Sequence, residues 1–203
     1  MNLNLFRSAA VLCVFLPVLV NAQSPNSVVE EAVEILDAAL TERRDELESS
    51  DEALYALVDE ILLPRFDRKY AAQLALGKHW RSASPEQRDD FVDEFYTSLL
   101  RRYADGVLKF DQRNIEMKPY RGDDTKKHTK VKTVVTLGDG TKVPVDYALV
   151  NRTSGWLIID VIIEGISYLQ TTKEELSSEI RISSLDAVIE RLKNENAGES
   201  QDG

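Results

Sequence analysis

The spacing of apolar residues changes its period once along this chain, and that change confines it to a small set of folds. As far as Tyr103, apolar side chains recur every three or four residues, the pattern of helices with a buried face. From Val131 the inward positions recur every second residue. They run Val131, Thr133, Val135 and Leu137, then Val143, Val145, Tyr147 and Leu149. Gly138-Asp139-Gly140 between these runs is a hairpin turn, and Asn151 to Gly155 is a second turn. Trp156 to Ile163 is apolar except for Asp160, so that strand is expected to be covered on both faces. Turns this short join antiparallel strands, because parallel neighbours need a crossover of a dozen residues or more. A further strand is expected around Ile115 to Tyr120. Two helices follow Gly165, at about Lys173 to Ile182 and Leu185 to Asn194. The order of helices, meander and helices predicts an α+β chain, not a parallel α/β one. A curved meander with helices on one face leaves a concave apolar pocket as its natural binding site.

The helical half carries its own punctuation. Ser24 to Ser27 reads as a polar lead-in, and helical spacing begins at Val28 and continues through Val29, Val33, Leu36 and Leu40. Ser49-Ser50-Asp51 breaks that pattern and caps a second helix with Leu54, Leu57, Val58, Ile61 and Leu62, which Pro64 stops. A third helix is predicted from about Asp67 to Leu76, ending at Gly77. Ser84-Pro85-Glu86-Gln87 is a capping box with proline at the first helical position. The helix it opens carries Phe91, Phe95, Leu99 and Tyr103 at steps of four. That stripe is expected to oppose strand residues drawn from Val135, Val145, Tyr147, Trp156, Ile158 and Val161. Strand alternation admits only one parity of each strand to the inner face, so some of these residues should point away.

The first 22 residues are read as a cleaved leader. Arg7 is the positive n-region, Ala9 to Val20 the apolar stretch, and Val20 and Ala22 the small residues before cleavage at Gln23. Export to a periplasm follows. Cys13 lies inside the leader and is the chain's one cysteine, so the exported chain has no disulfide, thiol nucleophile or thiolate metal ligand. Residues 23–196 make one domain, divided into a mainly helical part (23–83) and a helix-sheet-helix part (84–196); residues 197–203 are a polar, acidic tail expected to be disordered. The formal charge of −10 gives no global electrostatic reason to bind nucleic acid. One stretch opposes it: Arg113, Lys118, Arg121, Lys126, Lys127, Lys130 and Lys132, against Glu116, Asp123 and Asp124. The basic residues suit a phosphate headgroup or an acidic partner, or equally a strand edge protected by lysines.

Catalytic signals are sparse. The two histidines, His79 and His128, lack partners at metal-ligand spacing, and there is no phosphate loop, nucleophile elbow or zinc motif. Asp160 and Glu164 beside the most apolar strand are candidates for a general acid or base, although hydrogen bonding to backbone or arginine is the commoner use of such carboxylates. No catalytic residue, metal or cofactor is expected.

Three groups of residues bear a family likeness. Leu76-Gly77-Lys78-His79-Trp80-Arg81 leads to Ser84-Pro85-Glu86-Gln87-Arg88, with Phe91, Phe95 and Leu99-Leu100-Arg101-Arg102-Tyr103 beyond. Trp156 precedes Asp160-Val161 and Glu164-Gly165-Ile166-Ser167. Leu62-Leu63-Pro64 precedes Phe66-Asp67. In order and spacing these resemble the MlaC family of periplasmic phospholipid-binding, or toluene-tolerance, proteins, from about Val28 to Leu192. The chain departs from that pattern at Thr172-Lys173, Glu175-Leu176 and Ser183-Ser184.

The resemblance implies an NTF2-like curved antiparallel sheet with a helical subdomain, and an apolar cavity between sheet and helices. It implies a carrier that moves phospholipid across the periplasm within an ABC-type lipid transport system that maintains outer-membrane lipid asymmetry. The partners would be an inner-membrane ABC transporter complex with an MCE-domain subunit and an outer-membrane lipoprotein–porin complex. The candidate lipid-facing residues are Trp80, Phe91, Phe95, Leu99, Tyr103, Val135, Val145, Tyr147, Trp156, Ile158 and Val161. Exposing two tails of roughly thirty methylenes to water costs on the order of 24 kcal/mol at about 0.8 kcal/mol each, so a carrier needs an apolar surface and no catalysis. Two other readings stand beside this one: a small NTF2-like enzyme using Asp160 and Glu164, and an envelope binding module that carries no lipid.

Overall fold

A computed structural model describes residues 24–108 and 115–198, the side chains of residues 103, 105 and 107 excepted. The leader, Arg113 and the last five residues therefore lie outside the described residues. Seven helices and five strands follow in the order α1–α5, β1–β5, α6, α7.

Helix α1 (Pro25–Ser49) begins earlier than its apolar spacing predicts. Ser24 accepts the Ser27 N–H at 3.2 Å and Pro25 holds the first turn, so Ser24 to Ser27 is the helix start, not a lead-in. Arg43, at φ −125°, kinks α1 in its second half. Helix α2 (Asp51–Leu62) is capped by Ser50, whose side chain accepts the Ala53 N–H, and passes into a 3-10 turn at Leu63–Arg65 around Pro64. Helix α3 (Arg68–Leu76) ends at Gly77, with φ +53°. A Cβ added there would lie 3.1 Å from Lys173 Cε, so this glycine serves both the turn and the approach of α6.

A four-residue α4 (His79–Ser82) leads into α5 (Pro85–Leu108). The capping box forms as its sequence predicts. Gln87 N–H donates to Ser84 Oγ at 3.1 Å, and Gln87 Oε1 accepts from Ser84 N–H at 2.9 Å.

The strands β1 (Ile115–Met117), β2 (His128–Thr136), β3 (Lys142–Arg152), β4 (Gly155–Ile163) and β5 (Ile166–Ser167) form one antiparallel meander in chain order. β5, only two residues long, leaves no periodic trace in the sequence. It follows a two-residue turn in which Glu164 and Gly165 both have positive φ, the requirement of a tight hairpin. Helices α6 (Tyr168–Ile182) and α7 (Leu185–Gly198) close the chain, so Ala197 and Gly198 are helical.

The core is divided. One cluster joins α3, α5, α6 and α7 around Phe91, Phe95, Leu176, Val188 and Leu192. A second joins the start of α1 to the sheet around Val28, Val29, Val131, Leu149, Trp156 and Ile158. Phe66 borders that second cluster and also a third, formed by Leu54 and Val58 of α2 with Tyr96, Leu100 and Ala104 of α5.

Candidate functional site

The Phe91 stripe does not oppose the strands. Phe91 and Phe95 are buried, with parallel rings 5.3 Å apart, in the cluster with α6 and α7, and Leu99 and Trp80 pack on the same cluster. Trp80 also lies under the Arg88 guanidinium at 5.4 Å, while Arg88 Nε donates to its carbonyl at 2.9 Å. Tyr103 lies on α5, but its side chain is outside the described residues. The reason for this correction is that α5 is apolar on two faces. Its second stripe, Tyr96, Leu100 and Ala104, also at steps of four, turns towards α2 and Phe66. This second stripe is as regular in the sequence as the first, though less aromatic.

The six strand candidates share one face of the sheet. Antiparallel partners directly opposite one another project to the same side. Val135 faces Val143, Val145 faces both Thr133 and Ile163, and Tyr147 faces both Val131 and Val161. Trp156 and Ile158 have the opposite parity to Val161 in sequence, yet they lie on this face as well. The register shifts between Ala148 and Leu149, so that Ala148 pairs with Asp160 and Leu149 with Ile158. Ile159 is left as the extra residue of a β-bulge, and the bulge cancels the parity difference. The expectation that some candidates would point away is therefore overturned.

This face also includes Val131, Thr133 and Leu149, with Val28, Val29 and Val33 of α1 and Phe66 packed against its Trp156 end. It holds a buried polar pair beside Val145. The Thr133 hydroxyl donates to Val145 O at 2.7 Å and also hydrogen-bonds with the Tyr147 phenol. Burial pushes the Tyr147 pKa up and the Thr133 contact opposes the shift, so the phenol stays neutral.

Asp160 lies on the other face, opposite Ala148. Its Oδ2 accepts from Ser167 Oγ at 2.6 Å and its Oδ1 from Leu169 N–H at 3.0 Å. Ser167 in turn accepts the Gln170 N–H, so Asp160 anchors the start of α6 to β4. Glu164 is exposed at the β4–β5 turn, with its N–H bonded to Pro144 O. The two carboxylates do not meet at an apolar surface, and the feature that motivated an enzyme is absent.

Phe95 and Leu99 line a different space, an open cleft of about 230 Å³ between α5, α6 and α7. Its rim is charged: Arg191 binds Glu179 through two nitrogens, at 2.7 and 2.8 Å, and also Glu195. The cleft is smaller than the roughly 300–1,000 Å³ typical of small-ligand pockets, and its rim is wrong for two acyl tails. Among the described residues, no group of His, Cys, Asp and Glu is arranged to hold a metal, and no helix is long and apolar enough to cross a membrane.

A curved sheet with an apolar inner face offers a concave surface of the kind that takes an apolar ligand. The comparisons with known proteins name the family. The family model for MlaC protein matches residues 30–194, and the chain belongs to that family. The chain is similar to toluene tolerance protein ttg2D of Pseudomonas putida, with 31% identity over 163 residues, 79% of this chain and 75% of that one. It is 20% identical over 172 residues to the intermembrane phospholipid transport system binding protein MlaC of Haemophilus influenzae, covering 83% of this chain and 80% of that one. Among solved structures, the phospholipid-binding protein of Ralstonia solanacearum, in complex with a phospholipid, matches with a TM-score of 0.76 and 27% identity. It covers 86% of this chain and 98% of that one.

Proposed function

We propose that this protein is a periplasmic phospholipid carrier whose acyl tails lie against the inner face of the sheet. The observation that carries the reading is the convergence of Val135, Val145, Tyr147, Trp156, Ile158 and Val161 on one apolar face, in a chain of the MlaC family. The phospholipid bound in the Ralstonia structure, and the phospholipid transport system named for the Haemophilus relative, support it. The N-terminal half of α1 and Phe66 cover part of this face. Loading then requires α1 to move, and the kink at Arg43 marks where its first half can move separately from its second.

The carrier would receive and deliver lipid at an inner-membrane ABC transporter complex with an MCE-domain subunit and at an outer-membrane lipoprotein–porin complex. The leader, cleaved after Ala22, would place it between them. The experiment is a two-stage transfer assay. The mature chain is incubated with fluorescent phospholipid, re-isolated, and presented to the MCE-domain subunit. Uptake followed by transfer supports the reading. Uptake without transfer leaves a lipid-binding protein with other partners, and no uptake leaves an envelope module that carries no lipid.

A further inference from the structure

The basic stretch supplies none of the residues proposed to meet the acyl tails. Residues 118–132 hold six Lys and Arg against two Asp, a local charge of +4 within a chain of −10, so the remaining residues sum to −14. The fold places Lys126, Lys127 and His128 at one end of the sheet, while Lys118 and Lys132 lie further along it, where Lys118 pairs with Glu116. His128 opens β2 opposite Val150 of β3, and the Asn151 N–H donates to Lys127 O at 2.8 Å. At the β3–β4 turn, Arg152 Nε donates to Asp67 Oδ2 at 2.7 Å, while Asp67 Oδ1 caps α3.

Tyr70 of α3 is the centre of this end. The Arg152 guanidinium lies 4.6 Å from its ring centroid and the Lys127 ammonium 5.8 Å. The His128 ring stacks on it at 6.0 Å, and the Tyr70 hydroxyl is 3.3 Å from His128 Nε2. Cation–π contact orders a cation without cancelling its charge. Among the described residues, no ion pair within 4 Å engages Lys127. Lys130 and Lys132 lie on β2, between β1 and β3, and Lys130 pairs with Asp146 at 3.7 Å. Lys126 and Lys127 lie off that strand, in the exposed loop that also holds Asp123 and Asp124, and the Arg152 charge is paired with Asp67.

We propose that the surface built on Tyr70, Lys126, Lys127, His128 and Arg152 docks an acidic segment of a protein partner. Residues 121–128 are all exposed, so the cations spread over a loop and do not converge on a pocket for a single phosphate. A planar anionic bilayer laid on this loop also meets Asp123 and Asp124 within a Debye length, about 8 Å at physiological salt, and is repelled by them. A narrow acidic segment touches the patch alone. The proposal stands independently of what the inner face of the sheet carries.

The test is an amide-shift NMR titration of the intact mature chain with a short poly-L-glutamate peptide, beside sedimentation with phosphatidylglycerol vesicles. Shifts should concentrate at Lys126 to Thr129, Tyr70 and Arg152. Binding should weaken about tenfold or more in Lys126→Glu/Lys127→Glu, and fall steeply as salt is raised. The neutral pair Lys126→Gln/Lys127→Gln should weaken it less, and serves if the charge-reversed variant is unstable. Shifts scattered elsewhere, or unchanged in both variants, would overturn the proposal. So would vesicle binding that the same variants abolish, which would assign the patch to a membrane.

Discussion

Two hydrogen bonds, from Ser167 Oγ and from the Leu169 N–H, occupy Asp160 and fix its role as an anchor for α6. Asp160→Ala is expected to lower unfolding stability by about 1–2 kcal/mol, the range for losing a helix cap and its charged hydrogen bonds. Urea denaturation measures this, and a loss below half a kcal/mol would show that the anchor is not needed. His79 gives a pH test. Its pKa is lowered, first by desolvation and then by the charges of Lys78 and Arg181. The unfolded chain therefore binds the proton more readily than the folded one, so His79 lowers stability as pH falls below about 6.5. Urea midpoints of wild type and His79→Gln should diverge between pH 7 and 5, with the variant falling less. Parallel curves would remove His79 from the account.

The β-bulge in β4 is the element on which the inner face depends. Deleting Ile159 removes the extra residue, and a regular ladder would then turn either Trp156 and Ile158 or Val161 and Ile163 away from the core. The expected outcome is a stability loss of about 3 kcal/mol or more, or failure to fold, read by circular dichroism and urea denaturation. Near-wild-type stability would mean that the face tolerates either register. The bulge was not legible in the sequence because Trp156 to Ile163 is apolar on both parities, which hides which residue is extra. The caps Ser50 and Ser84 were legible, because each offers a side-chain oxygen at the one position where it satisfies an orphan N–H, whereas Asp67, expected inside α3, is its cap. So was the meander, whose turns at Gly138 to Gly140 and Asn151 to Gly155 leave no room for a crossover. The layer that α5 faces was not legible. A helix lying between two clusters shows two stripes, and spacing alone does not say which meets the sheet. Helix α1 carries a further prediction. Amides between Val28 and Arg43 should change their hydrogen-exchange rates on lipid loading more than those of α6 and α7, since α1 covers part of the inner face. Equal change throughout would mean that α1 is not the element displaced.

Across the whole molecule, the helical cluster around Phe91 and the sheet cluster around Trp156 are separate, and the proposed function assigns the ligand to the second. This division turns the central claim into a contrast between two single substitutions. Val161→Glu places a charge on the inner face, where it is half-buried and opposite Tyr147. Leu99→Arg places one at the cleft between α5, α6 and α7, whose rim already carries Glu175 and Glu179. Burying an unpaired charge against acyl chains is costly, so only the first should exclude lipid. The direct measurement is native mass spectrometry of the mature protein and both variants purified from the periplasm. Wild type and Leu99→Arg should carry the added mass of a phospholipid, and folded Val161→Glu should not. Wild type without lipid, or lipid lost from Leu99→Arg and kept by Val161→Glu, would contradict the account.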